Sequence, residues 1–209
     1  SGPARLTYLD TRFDWKTANY AAGHDWFYAN GGQNAKTPDE AWYLEALKRN
    51  RELGIETIVT IPTIGWVAKD NRSASFSVTK YGRQQREDKQ HPDWGNGVKA
   101  DGTPVTNNDP RDAGKEAPPA YQGEFVAFLK THLGPAGVSP RRHYALDNEP
   151  GLWNSTHRDV HPDPVTYDEA WDRTVRFANA IKDADPTAWV WGPVEWGWIG
   201  IKYSAADKG

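Results

Sequence analysis

Apolar positions in this chain fall into short strand-like runs separated by stretches with helical spacing, and the two patterns alternate. Ala4 to Asp10, with Leu6, Tyr8 and Leu9, reads as a brief strand. Thr37-Pro38-Asp39-Glu40 carries three helix-start signals: Thr as N-cap, Pro at the first helical position, and Glu three residues after the cap. The helix it opens takes its apolar face from Trp42, Tyr43, Leu44, Leu47 and Leu53 and closes on Gly54. Ile55 to Ile61 follows as a strand rich in β-branched residues. From Pro62 to about Pro119 no period is sustained, which suggests a functional excursion over one face of the domain; within it Ser73 to Tyr81 alternates weakly and reads as a small hairpin. Tyr121 to Leu133 reads as a helix ended by Gly134, and Arg142 to Leu146 as a buried strand. Thr166-Tyr167-Asp168-Glu169 is a second capping box, with Trp171, Val175, Ala178 and Ile181 in phase along the helix to Lys182. Ala188 to Pro193 forms the last strand. Strand and helix in strict alternation imply an α/β fold with a parallel sheet, right-handed crossovers and functional loops at the carboxyl ends of the strands.

The candidate chemistry sits at one of those ends. The strand from Arg142 stops abruptly in Asp147-Asn148-Glu149-Pro150, which delivers three polar side chains into a site. A Glu at the carboxyl end of a parallel strand is a candidate acid or base, and an Asn beside it suits a sugar hydroxyl; a solvated turn is the bland alternative. Glu195, flanked by Trp196 and Trp198, stands just past the last strand as a candidate second carboxylate.

Composition sharpens this. The chain has 11 Trp and 9 Tyr in 209 residues, so aromatics are in surplus. Trp15, Trp26, Trp66 and Trp153, together with Trp196, Trp198 and His157, are candidates for stacking on sugar faces; inward packing is the competing use of each ring. The net charge of −3 and pI near 6.1 offer no basic patch for nucleic acid, and no apolar run is long enough to span a membrane. A neutral partner is expected. Asn107 to Asp112 clusters oxygen ligands: Asp109 and Asp112 would suit a structural calcium, while an Asx turn before Pro110 explains the same residues. His157 and His161 are four apart, but Pro162 and Pro164 argue against a helical zinc pair. The absence of Cys excludes disulfides and thiolate sites. A chain that opens on Ser-Gly-Pro and contains no Met reads as a processed form or a segment of something longer.

Several long motifs, in order, resemble glycoside hydrolase family 44: Arg12-Phe13-Asp14-Trp15, Gly23-His24-Asp25-Trp26-Phe27, Thr60-Ile61-Pro62-Thr63-Ile64-Gly65-Trp66-Val67, Tyr144 to Pro150, Thr156 to Pro162, and Gly192 to Trp198. The resemblance implies a (β/α)8 barrel that cleaves internal β-1,4-glucan links in cellulose derivatives and xyloglucan with retention, with no cofactor required. It implies that Glu149 is the acid/base at the end of the fourth barrel strand, with Asn148 beside it. Counted that way, residues 1–209 are a single partial barrel domain spanning about strands two to five. The family's nucleophile, a Glu on the seventh strand, would lie outside this chain, leaving Glu195 as the strand-end candidate within it. Open sheet edges imply self-association, and the resemblance implies a secreted parent protein. A sugar-binding module without hydrolysis, or an inactive fragment, is the alternative.

Overall fold

The computed structural model describes residues 5–9 and 13–208; the ends of the first predicted strand, Ala4 and Asp10, and Arg12 of the first motif lie outside them. Four strands, β1 (Arg5–Leu9), β4 (Ile55–Ile61), β7 (Arg142–Leu146) and β8 (Trp189–Trp191), form one sheet in the order β1-β4-β7-β8. All three pairings are parallel. Two small antiparallel sheets pair β2 (Asn19–Ala21) with β3 (Asn30–Gly32) and, across the long excursion, β5 (Trp66–Ala68) with β6 (Gly114–Glu116).

Alternation along the strands divides the sheet into two faces. Val59 and Ile61 of β4 and Tyr144 and Leu146 of β7 point to one side and are buried there. That side is covered by α1 (Trp42–Glu52), α3 (Pro119–Leu133) and α5 (Tyr167–Ala184), through Tyr43, Leu44 and Leu47, then Phe125, Val126 and Leu129, then Phe177 and Ile181. The opposite face carries Tyr8, Thr60, His143 and Trp191. Its polar groups pair with one another: the Thr60 hydroxyl donates to the Tyr8 hydroxyl at 2.8 Å, His143 Nε2 meets Glu56 at 3.0 Å, and Trp191 Nε1 donates to His143 Nδ1 at 3.4 Å. At its margins Leu6, Tyr8, Trp189 and Trp191 are each half exposed.

Local chemistry moves several elements from their expected places. The first capping box makes only a short 3-10 turn, Pro38–Glu40, and Thr37 makes no side-chain cap bond. Ala41, fully buried and extended at φ −69° and ψ 128°, separates that turn from α1. Gln33 does the capping instead: its amide donates to Glu40 O at 2.7 Å and accepts from Trp42 N at 2.8 Å. The second box behaves as expected, with the Thr166 hydroxyl accepting from Glu169 N. The hairpin read at Ser73–Tyr81 is absent. Its second half is the short helix α2 (Val78–Tyr81), capped by the Ser77 hydroxyl, and its first half pairs singly with distant segments. On α5 the expected face holds at its C-terminal half, where Ile181 is buried and Ala178 packs on the core, but not at its N-terminal half: Trp171 is 70% exposed and Val175 37%, and the buried Phe177 takes their place. Two further short helices are α4 (Trp153–Thr156) and α6 (Ile199–Lys202).

The 62–119 excursion is tied down by charge. Asp14, fully buried, accepts from the Thr17 hydroxyl at 2.6 Å, from Lys115 Nζ of β6 at 2.9 Å and from the Tyr121 hydroxyl of α3. Arg158 lies over the rings of Phe76 and Tyr28, 4.5 and 5.3 Å from their centroids, and donates to the carbonyls of Asn96, Gly97 and Val105. A planar guanidinium can do both at once.

Candidate active site

The carboxyl ends of β4 and β7 open into a cleft of about 680 Å³. Its key support is Asp147, which is 4% exposed. One carboxylate oxygen accepts from Thr63 N at 2.6 Å, the Thr63 hydroxyl at 3.2 Å and Ile64 N at 3.2 Å; the other accepts from Asn148 N at 2.8 Å. A buried charge needs such donors, and here they fasten the end of β4 to the turn that follows β7. In that turn Asp147 and Glu149 both hold left-handed backbones, at φ 53° and 55°. For a Glu this conformation costs on the order of 1 kcal/mol and persists because the surroundings impose it. The imposing contact is Glu149 N donating to Val194 O at 2.6 Å, from the segment after β8. The sequence therefore spends stability to aim this side chain.

Asn148 and Glu149 both line the cleft, as do Trp66, Trp153 and His157. Trp153 is 2% exposed, held between the Arg173 guanidinium, 5.4 Å from its ring, and His161 at 5.2 Å. Glu169 fixes both side chains: it meets His161 Nε2 at 2.8 Å and accepts from Arg173 Nε at 2.8 Å. Burial alone would raise the Glu169 carboxyl, but these two partners outweigh it and hold the group below its usual range. His161 is thus paired to a carboxylate and packed on a ring. Close approach of the first loop to His157 requires a glycine: a Cβ at Gly23, where φ is +66°, would meet Thr156 O at 2.4 Å.

Other predicted site residues lie elsewhere. Trp15 is buried in the core, stacked on Phe125 at 5.8 Å, with its indole N–H donating to Tyr121 O. It is a packing residue; removing a ring so placed costs about 3–5 kcal/mol. Trp26, Trp196 and Trp198 are exposed and outside the cleft lining. Glu195 is also outside it: its Oε2 lies against Gly151 and Gly200, 3.1 and 2.9 Å from where their Cβ atoms would stand. Asp109 caps a turn by accepting from Arg111 N at 2.9 Å, and Asp112 takes Lys80 and the Tyr81 hydroxyl. Among the described residues no group of three or more His, Cys, Asp or Glu is placed to hold a metal ion.

Sequence reasoning missed Trp42, which it assigned to a helix face and which lines the cleft while 47% exposed. It also passed over Asp159, a cleft residue only 7% exposed.

The model of glycoside hydrolase family 44 matches residues 19–209. The chain belongs to that family. A beta-mannanase/endoglucanase A of Caldicellulosiruptor saccharolyticus is 31% identical over 94% of this chain, which spans 15% of that protein. Among solved structures, CelM2, a bifunctional glucanase-xylanase from a metagenome library, is 37% identical with a TM-score of 0.88, over 98% of this chain and 41% of its own. A family 44 xyloglucanase of Paenibacillus polymyxa, solved with xyloglucan, is 26% identical with a TM-score of 0.61, over 92% of this chain and 38% of its own. This family 44 chain therefore covers less than half the length of these relatives, within a mixed α/β fold built on a parallel sheet.

Asp159 gives the site a pH signature. Burial pushes its carboxyl up from the usual 3.8, while the Ser75 hydroxyl and the charge of His157 pull it down; burial wins. The folded state then binds this proton more tightly than the unfolded chain. The resulting stabilisation is full below the ordinary Asp range and is lost as pH rises through the raised folded value. Asn carries no charge to bury, so Asp159→Asn should melt above wild type at pH 7, with the gap closing below about pH 3.5. Parallel melting curves across that range check this; a gap that widens on acidification contradicts it.

Proposed function

We propose that this chain is part of the catalytic domain of a retaining endo-β-1,4-glucanase acting on cellulose derivatives and xyloglucan, with Glu149 as acid/base. The observation that carries the reading is the placement of Glu149 and Asn148 in the wall of the cleft at a parallel strand end, on a backbone strained into position. The strand order β1-β4-β7-β8, sequential and parallel with α1, α3 and α5 on one face, supports reading residues 1–209 as strands two to five of a (β/α)8 barrel. Its uncovered face would then be the barrel interior.

In this mechanism Glu149 protonates the departing glycosidic oxygen while a second carboxylate attacks the anomeric carbon, and then takes a proton from the water that releases the sugar. Asn148 holds the 2-hydroxyl. Retention needs the two carboxyl groups about 5–5.5 Å apart. Glu195, which is not on the cleft wall, does not suit the second role, so we assign the nucleophile to a strand beyond this chain. No cofactor is required, calcium at Asp109 and Asp112 would be structural only, and a polymeric substrate fits a secreted parent.

Glu149→Gln should lower reducing-end release from xyloglucan by about 10²–10⁴-fold, in whichever assembly is active; equal release by both forms contradicts the role. The exposed Leu6, Tyr8, Trp189 and Trp191 favour a second reading for the isolated chain, a glucan-binding fragment that self-associates through its open edges and uncovered face. Sedimentation should then show a dimer or larger species, and a strict monomer at all concentrations contradicts it.

A further inference from the structure

Two buried acceptors in the cleft wall lack donors. Asp159 Oδ2 accepts from the Ser75 hydroxyl at 2.6 Å, and its Oδ1 has no partner. Asn30, 4% exposed, donates from its amide nitrogen to Ala113 O at 2.7 Å, which leaves its Oδ1 unpartnered too. Backbone pairing brings them to one patch: Ala29 bridges Ala74, Asn30 N donates to Ser73 O at 2.8 Å, and Ser75 N donates to Tyr28 O at 3.1 Å. Both side chains line the same cleft as Glu149.

Buried polar atoms without partners are rare in native proteins, and those that occur call for a specific cause. His157 acts on Asp159 through its charge, and no protein group donates to either Oδ1. Arg158 gives its guanidinium protons to the carbonyls of Val105, Asn96 and Gly97, and the Tyr28 hydroxyl donates to Ser155 O at 2.8 Å. Donors from outside the protein would complete both acceptors, and a neutral saccharide carries them on every ring.

We propose that Asp159, with Asn30 beside it, forms a hydroxyl-accepting saccharide contact in the cleft wall, separate from the Glu149 and Asn148 pair. This rests on the reading of the cleft as a β-glucan site and adds to it which side chain pins the chain through its hydroxyls. A carboxylate accepting from a hydroxyl makes a charge-assisted bond, stronger than a neutral one and oriented by the Ser75 hydroxyl on its other oxygen. A site that presents buried acceptors discriminates against sugars lacking the matching hydroxyl, because binding them leaves the acceptors empty. The arrangement also explains why a carboxyl group is kept where burial opposes its charge: a binding residue can be maintained against stability.

The test is calorimetric titration of the 209-residue chain with cellotetraose and with a xyloglucan heptasaccharide at pH 7, comparing wild type with Asp159→Asn, Asp159→Ala and Glu149→Gln. Asp159→Asn preserves shape and the Ser75 contact while removing the charge, and should weaken binding about tenfold or more. Its melting temperature should be at or above wild type, so a lost fold cannot account for the loss. Asp159→Ala should bind at least as weakly. Wild-type affinity in Asp159→Asn overturns the proposal and leaves an ordered water as the missing donor, with the β-glucan reading intact. Binding that requires added calcium and disappears with chelator overturns it in favour of a cation at the two acceptors. A wild-type chain that shows no saturable binding of either sugar overturns both the proposal and the β-glucan reading.

Discussion

The buried carboxylate of Asp147 is the contact on which the site depends. It collects three donors from the segment after β4 and one from its own successor. Two parallel strands end at the same height because one charge satisfies both ends. With Asp147 fixed at one end and Glu149 N held by Val194 O at the other, the turn between them carries Glu149 into the cleft wall. Without those donors the charge would be buried unpaired, a penalty of several kcal/mol. The same carboxylate therefore stabilises the sheet end and positions the catalytic candidate.

The remaining walls follow the same logic, with buried charge used where apolar packing is thin. Asp14 ties the first loop to β6 and α3. Arg158 is covered by two rings and spans three carbonyls of the excursion. Glu169 fixes His161 and Arg173, and these in turn hold Trp153. Walls built this way would suit the saccharide proposed for the cleft, because the polar groups and rings are fixed before binding.

Much of the scaffold was legible in the sequence because local pattern determines it. Ile55–Ile61, dense in β-branched residues, is a strand over those same residues, and the run ending in Asp147-Asn148-Glu149 stops where the buried strand stops. The misreadings share a cause, since each depended on which neighbour a side chain meets. On α5, Trp171 lies about 120° and 80° round the helix from the buried Phe177 and Ile181, so a stripe that is right at Ala178 and Ile181 leaves the core at Trp171. Trp15 looked like a sugar platform because nothing local reveals that α3 covers it. Thr37 looked like a cap, but the capping group comes from Gln33, upstream on the other side of the turn. Asp159 is informative only once Ser75, 84 positions away, is seen to use one of its oxygens and leave the other empty.

The central claim is that the saccharide lies in the cleft between the ends of β4 and β7. The indole N–H resonances of the 11 tryptophans test it directly, followed by NMR during titration with a xyloglucan oligosaccharide. Shifts concentrated at Trp66, Trp42 and Trp153, with Trp15 and Trp171 unmoved, are the predicted result. Shifts confined to Trp189, Trp191, Trp196 and Trp198 would place the sugar on the open end of the sheet and contradict the account.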